Sequence, residues 1–412
     1  MLIFIFGGIF YYNNLRGATS AFFDPKENVT DLFKFDNALF TVQPGFQISI
    51  FEDNIPNARV MTFDYRGNLW VSQMDQGKVV MIDIENGISK GVYEFTVLLN
   101  LNKPHGLAFD PENPGRLYIA EENKIVYIDV YIQGIIDNPV DYQALADYEL
   151  VKMSLAGSSI IYPQDVINLP MGGRHTSRTI GFGPDNRLYI SIGSSCDVCY
   201  EQDPQRAAIY SIQKDGSDFK EVAKGLRNAV FFVFKDNKIW TTEMGRDQLG
   251  DDVPPDEINV IDISNPQVQH FGWPLCYGDN ILDTDFEKND YGANPCREPV
   301  YIASTIDLPA HSAPLGLAFV PENTNWGEEY TNDLLVAFYG SWNRTKPSGY
   351  KIVFLNFDDE GNYIDQEDFI SGWLDDTGKT VLGRPTDLKF GPDKALYISD
   401  DTANVIYRLT HQ

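Results

Sequence analysis

Hydrophobic and polar positions along this chain fall into a unit that recurs. An apolar run ends in Phe, a turn built on Asp, Asn, Gly or Pro follows, and a second run pairs a bulky residue with alternating apolar and small ones. Six segments carry it: Ala58 to Gln73, His105 to Glu121, Arg178 to Gly193, Asn228 to Glu243, Leu315 to Ser341 with an insertion between its halves, and Pro385 to Asp400. Two apolar runs joined by such a turn form a β-hairpin, because these turn residues accept the backbone angles that a tight reversal needs.

The copies lie about 45 to 90 residues apart, which leaves room for two more strands per copy. Candidates are Lys78 to Ile84, Lys124 to Val130, Ala207 to Gln213, Tyr350 to Phe357 and Ala403 to Thr410. Phe46 to Glu52 is the first predicted strand, and Gln133 to Asp165 reads as an insertion between repeats. Long helical periodicity is absent. Six repeats of four strands predict an all-β chain, a six-bladed β-propeller with four-stranded antiparallel blades, ahead of a pair of β-sandwiches. In such a fold a small ligand sits near the central channel, so function is sought in the loops at the hairpin ends.

Charge narrows the partners. The 412 residues carry a formal charge of -27, which disfavours nucleic acid and anionic membranes, both of which need basic surface. The apolar start MLIFIFGGIF is too short for a comfortable membrane span and lacks the usual basic residues before it. Residues 1–17 are expected to be an export signal or short anchor, 18–45 a lead-in with an acceptor sequon at Asn28, and 46–412 the propeller, in a secreted, periplasmic or other extracytoplasmic setting. The four cysteines agree with export and read as disulfides: Cys196 and Cys199 in CDVC, Cys276 and Cys296 around an Asp-rich loop. A zinc site would need four ligands where one close pair exists.

Candidate chemistry gathers at the hairpin ends. Of five histidines, His175 stands just before the third repeat in GGRHTSR. A neutral imidazole there suits removal of a hydroxyl proton; the alternative is a structural role. Arg178, close by, is a weaker partner for it than Arg227. His105 and His311 enter the second and fifth repeats and either face the funnel or brace loops; His270 reads as structural. Arg227 and Asn228 open the fourth repeat, Arg344 leaves the fifth and Arg384 opens the sixth. Together they form a small basic funnel in an acidic body, fitted to a compact polyanion. Glu243 to Pro274 is rich in carboxylates, read either as a solvated loop or as oxygen ligands for calcium, without EF-hand spacing. There is no phosphate loop, dinucleotide fingerprint or nucleophile elbow.

Several motifs in combination carry a resemblance: HTSRTIGFGPDNRLYISIGSSCDVC, GLRN, GRDQLGDDVPPDEIN, FGWPLCYG, HSAPLGLAF, GSWNRTKPSGYK and GRPTDLKFGPD. From Phe46 to Leu409 the chain resembles the glucose/sorbosone dehydrogenase family, nearest its L-sorbosone and pyranose dehydrogenase branch. The resemblance implies a soluble six-bladed propeller using pyrroloquinoline quinone and calcium. A small sugar, an aldose or sugar-derived aldehyde or alcohol, would be the substrate, and electrons would pass to an external acceptor: a cytochrome, a quinone or a dye. It implies His175 as the general base while hydride leaves to the quinone, Arg227 stabilising the developing oxyanion and Asn228 at the cofactor edge. His105, Tyr339, Asn343, Arg344 and Arg384 would contact the cofactor, the two arginines through its carboxylates. Backbone carbonyls of Gly245 and Arg246 would hold the catalytic calcium, with a structural calcium near Glu257 and the Phe271 carbonyl. Tyr339 departs from the family pattern, which has histidine there; Arg344 is offset from the lysine of the glucose enzymes; and the sequon at Asn343 is expected to stay unused. Two other functions fit a propeller: a calcium-dependent hydrolase of lactonase type, and a binding module without catalysis.

Overall fold

A computed structural model describes residues 22–23, 39–95, 98–130, 163–289, 291–297, 301–358 and 360–412. The expected signal or anchor, the Asn28 sequon and nearly all of the Gln133 to Asp165 insertion lie outside them.

Six antiparallel sheets form the blades of a β-propeller. Blade 1 comprises Ala58–Phe63, Leu69–Gln73, Lys78–Glu85 and Ile88–Glu94. Blade 2 comprises Leu107–Phe109, Arg116–Ala120, Lys124–Asp129 and Gln164–Asn168. Blade 3 comprises Ile180–Phe182, Leu188–Ile192, Ala208–Ile212 and Lys220–Lys224. Blade 4 comprises Phe232–Lys235, Lys238–Glu243, Asp256–Asp262 and Ile306–Leu308. Blade 5 comprises Pro314–Phe319, Leu334–Phe338, Lys351–Phe357 and Tyr363–Ser371. Blade 6 comprises Pro385–Phe390, Leu396–Asp400 and Val405–His411, and its outer strand is Phe46–Glu52 from the start of the propeller. That last pairing runs antiparallel from Phe46 opposite His411 to Glu52 opposite Ile406 and closes the ring, so the first blade and the last leave no open gap between them.

Each predicted hairpin supplies the two innermost strands of a blade. Two blades exceed the expected four strands. Gln269–His270 adds in parallel to blade 3, and Thr41–Val42 adds antiparallel to blade 5. The described residues contain no α-helix, and none is long and apolar enough to cross a membrane.

The repeated unit has a packing cause. A Phe at or next to the end of each inner strand meets an aromatic of the preceding blade. Trp70 meets Phe109 at 5.9 Å, Tyr118 meets Phe182 at 5.3 Å, and Tyr189 meets Phe234 at 5.2 Å. Trp240 meets Phe319 at 5.3 Å, and Tyr397 meets Phe63 at 5.2 Å across the closure. In blade 5 the second strand has Leu335 at this place, and Trp326 of the hairpin insertion supplies the ring, 5.0 Å from Phe390. Six edge or tilted pairs thus join six blades, each worth about 0.5–1.5 kcal/mol beyond its buried area. The turn carboxylates hold the polar heads of these rings: Trp70 Nε1 donates to Asp64, Tyr189 to Asp185 and Tyr397 to Asp393.

Second strands are buried along their whole length, as in Leu69–Gln73, Leu188–Ile192 and Leu334–Phe338, whereas the outer Ile88–Glu94 alternates. A blade sandwiched between two others has no solvent face in its middle, so its sequence loses the alternation of a half-exposed strand. Inner strands of blades 1, 5 and 6 carry register shifts at the same place, between Ala58 and Met61, Pro314 and Leu317, and Pro385 and Leu388. Such irregularities re-aim side chains, and these lie where the strands reach the channel mouth.

Candidate active site

His175 hangs from a loop that precedes the inner strand of blade 3. Gly172 and Gly173 take φ of 79° and 84° to shape the loop, angles a side chain resists. A Cβ on Gly193 would lie 2.6 Å from His175 Cβ and 2.8 Å from Asn228 Oδ1, so the bare glycine lets blades 3 and 4 bring these residues together. The imidazole Nδ1 lies 2.8 Å from Ser194 Oγ and 3.1 Å from the Ser194 carbonyl. Burial, then the charges of Arg227 and Arg174, push its pKa down to about 3. His175 is therefore a neutral imidazole across the physiological range.

Arg227 is the centre of a charged network beside it. Its side chain is 4% exposed. Nη2 binds Asp197 Oδ1 at 2.6 Å and Asp247 Oδ2 at 3.2 Å, Nε donates to the Asp197 carbonyl at 2.9 Å, and Nη1 to the Met244 carbonyl at 3.1 Å. Asp247 also pairs with Arg174 and accepts Asn343 Nδ2 at 3.2 Å. Asn343 is 3% exposed, and this buried nitrogen is the atom a glycan would need. Asn228 donates its backbone N–H to Glu243 at 2.8 Å and its side chain to the Met244 sulfur at 3.4 Å. Arg178 is fully buried and holds the carbonyls of Pro170, His175 and Ser177, which makes it a strut of the loop.

A second basic group lies across the mouth. Arg384 donates to the Tyr339 and Gly340 carbonyls at 3.1 and 2.9 Å, and its guanidinium sits 4.7 Å from the Tyr339 ring centre and 4.8 Å from that of Tyr350. Arg59 approaches Tyr339 at 5.7 Å and pairs with Asp401 at 2.5 Å. Tyr339 thus lies between two arginines, and its hydroxyl is pushed up to about 12, first by burial and then by Asp401. No carboxylate of the described residues lies within ion-pair distance of Arg384. Arg344 differs: it binds Asp252 at 2.7 Å and the Asp251 and Ala310 carbonyls, so its charge is taken up by its own rim. His105 is buried with Nδ1 3.4 Å from Thr179 Oγ1, and burial lowers its pKa well below the ordinary value. His311 binds the Gly250 carbonyl through Nε2 at 2.7 Å and braces a loop.

The acidic stretch folds into a frame for Gly245 and Arg246. Asp256 accepts the Gly245 N–H at 2.9 Å, and Arg246 Nη1 pairs with Asp283 at 2.7 Å. A Cβ on Gly245 would strike the Pro255 carbonyl at 2.6 Å. Glu257 accepts Gly278 N–H and Asn259 Nδ2, while Phe271 is anchored through its N–H on Lys224 of blade 3, so the two are held by different partners. Burial, then Glu257, pushes Glu243 well above the carboxylate range. Among the described residues the His/Cys/Asp/Glu trio with ligand spacing is Cys196, Cys199 and Glu201, and both of its sulfurs are joined in a disulfide; the second disulfide joins Cys276 to Cys296.

Buried polar atoms around the mouth that have no hydrogen-bond partner among the described residues include Arg59 Nε, His105 Nε2, Arg178 Nε, Glu243 Oε2, Arg246 Nε and Asn343 Oδ1. Burying polar groups unpaired is costly, so they fit a site built to be filled. With Arg384 free of carboxylates, the donor set fits a compact polycarboxylate. The Gly245 and Arg246 carbonyls beside Glu243 fit a hard cation that takes oxygen ligands. Arg59, Arg174, Asp197 and Asp247 were not expected from the sequence. Arg59 stands four residues before the Phe of its repeat, as His105 does in the next, which is the signal that could have found it.

Asp400, at the blade 6 side of the mouth, accepts the N–H groups of Thr402 at 3.1 Å and Ala403 at 2.7 Å, and burial pushes it up to about 7. The folded protein then holds a proton that the unfolded chain releases near pH 4. The stability this group contributes is full below that pH and is lost as pH rises through about 7. Asp400→Asn is expected to match the parent near pH 4 and to exceed it by about 2–4 kcal/mol above pH 8, read from denaturant melts at both pH values. An equal difference at both would contradict it.

Residues 147–412 match the family described as TrAA12-like. A functionally uncharacterised protein of Borreliella burgdorferi is 32% identical over 94% of this chain and 93% of its own length. A pyrroloquinoline quinone-dependent pyranose dehydrogenase of Coprinopsis cinerea is 24% identical over 89% of this chain, which spans 54% of that protein. The holo pyrroloquinoline quinone domain of a Coprinopsis cinerea pyranose dehydrogenase superposes with a TM-score of 0.71 at 20% identity, covering 90% of this chain and 97% of that domain. In fold and in sequence, the chain belongs to the TrAA12-like family.

Proposed function

We propose that this chain is a quinoprotein dehydrogenase that oxidises a sugar, an aldose or a sugar-derived aldehyde or alcohol, and passes the electrons to an external acceptor. The observation that supports it most is a neutral His175, tied at Nδ1 and with Nε2 making no hydrogen bond to the described residues, beside an arginine fixed on two carboxylates.

Pyrroloquinoline quinone, when bound, supplies the two-electron acceptor for hydride leaving the sugar carbon, and calcium supplies a Lewis acid. His175 Nε2 takes the proton of the sugar hydroxyl, the step for which an imidazole kept neutral is suited. Arg227 offers fixed positive charge where negative charge develops, at no cost of reorientation. Arg384 would hold a cofactor carboxylate, with the unpartnered Nε of Arg59, whose charge is paired with Asp401, beside it; Asn228 and Asn343 would lie at the edge, and Tyr339 would form the wall between the arginines. Gly245 and Arg246 offer carbonyls to the cation. Trp342, 47% exposed and 5.9 Å from Arg174, offers an indole face at the rim on which the C–H face of a sugar can rest. Two disulfides suit an oxidising, extracytoplasmic compartment. The hydrolase reading is weaker, since among the described residues no three carboxylates converge as ligands.

The test is calorimetric titration of the purified chain with pyrroloquinoline quinone, with and without calcium. Binding that requires calcium is expected; no binding under either condition would overturn the proposal.

A further inference from the structure

The mouth holds one residue that touches both halves of the proposed machinery, and it is neither histidine nor arginine. Ser194 is buried one residue beyond Gly193, which follows the second strand of blade 3. Its N–H donates to the Arg227 carbonyl at 2.8 Å. Its carbonyl accepts the His175 N–H at 3.3 Å and faces His175 Nδ1 at 3.1 Å. Its hydroxyl donates to the Cys196 carbonyl at 2.6 Å and meets His175 Nδ1 at 2.8 Å.

These contacts fix the direction of each hydrogen bond. The Ser194 proton is spent on the Cys196 carbonyl, so toward the imidazole the hydroxyl oxygen can only accept. The Ser194 carbonyl can only accept as well. His175 Nδ1 must then carry the proton, which leaves the lone pair on Nε2. The same loop holds the arginine: Asp197, the next residue after Cys196, takes Arg227 through both its carboxylate and its carbonyl, and its Oδ1 also accepts the Asp247 N–H at 2.9 Å. Glu201 braces the loop by accepting the N–H and hydroxyl of Ser195. The disulfide from Cys196 to Cys199 closes the loop on itself.

We infer that Ser194 is a positioning residue that sets the His175 tautomer, and that the Cys196–Cys199 loop acts as one clamp on both His175 and Arg227. This deepens the reading of His175 as the base and rests on it. A hydroxyl and a peptide carbonyl, both uncharged, orient the ring where many enzymes use a carboxylate. The ring is therefore directed without being made more basic, in keeping with its depressed pKa.

The test reads the ring itself in cofactor-free protein. With histidine labelled with nitrogen-15, the two imidazole nitrogens of His175 are identified by their loss in His175→Ala. The parent is expected to show Nδ1 protonated and Nε2 bare; the opposite tautomer overturns the inference whatever any variant does. Ser194→Ala is expected to move both nitrogens toward an average of the two tautomers. In reconstituted protein it should lower kcat about 10-fold, with KM nearly unchanged, the lower end of what an outer hydrogen-bond partner supplies, because the Ser194 carbonyl still accepts. The double variant Cys196→Ser/Cys199→Ser, read in the same way, is expected to shift the ring in the same direction, and it decides the matter if Ser194→Ala does not fold. Parent-like nitrogens and parent-like kcat in the variants overturn the inference. Should His175→Ala prove fully active, the base reading fails on its own, while the tautomer measurement still decides the role of Ser194.

Discussion

His175→Ala is expected to lower kcat by about 10²–10⁴-fold, the range a positioned general base supplies. In the proposed reaction the sugar hydroxyl would keep its proton at neutral pH, so a base would have to accept it as the bond to hydrogen on carbon breaks. Among the five histidines, His175 meets the requirements. His105 is buried against Thr179 and Phe231, His311 is bound to Gly250, His270 accepts the Gly272 N–H, and His411 lies in the outer part of blade 6 against Phe46. The side chain contributes little to the fold, since its polar contacts go to Ser194 alone, so the variant should fold and bind the quinone as the parent does. Steady-state rates with a redox dye, beside a quinone titration, separate the two effects. A variant within about threefold of the parent rate would remove His175 as the base.

Arg227→Ala is expected to cost about 3 kcal/mol of stability as well as activity, because breaking a buried pair strands the partner charges. Asp197 and Asp247 converge on its guanidinium, and after truncation Asp197 loses its arginine while Arg174 and the Asn343 amide remain on Asp247. Arg227→Lys restores a charge but not the fork that reaches the Asp197 carboxylate, the Asp197 carbonyl and the Met244 carbonyl together. Thermal and denaturant melts should place the lysine variant between the parent and the alanine variant. Equal melting of all three would show that the network carries no stability.

The propeller was legible because its packing is repetitive. Each blade needs a Phe at or next to the end of its inner strand and an aromatic partner in the preceding blade, and that requirement is written into the chain as a recurring hairpin. Phe46–Glu52 was readable as a strand from its alternation, with the bounds the structure shows. Its partner was not, because the pairing with Val405–His411 spans nearly the whole chain and leaves no local mark. Thr41–Val42 and Gln269–His270 are too short to show a period. The candidate site divides in the same way. His175, Arg227 and Arg384 stand out because cations and imidazoles are scarce in an acidic chain. Asp197 and Asp247 do not, being two among 59 acidic residues, and only folding reveals which carboxylates lie between arginines. Arg344 carries a motif as clear as that of Arg384, yet local carboxylate and carbonyl partners take its charge, a distinction set by the loop at Asp251 and Asp252.

The measurement that bears most directly on the proposed activity is dye-coupled turnover of the purified chain, reconstituted with pyrroloquinoline quinone and calcium, across a panel of aldoses and sugar-derived aldehydes. The expected result is sugar-dependent dye reduction that needs both the quinone and the cation. Dye reduction with none of the sugars, in protein shown to be folded, would contradict it.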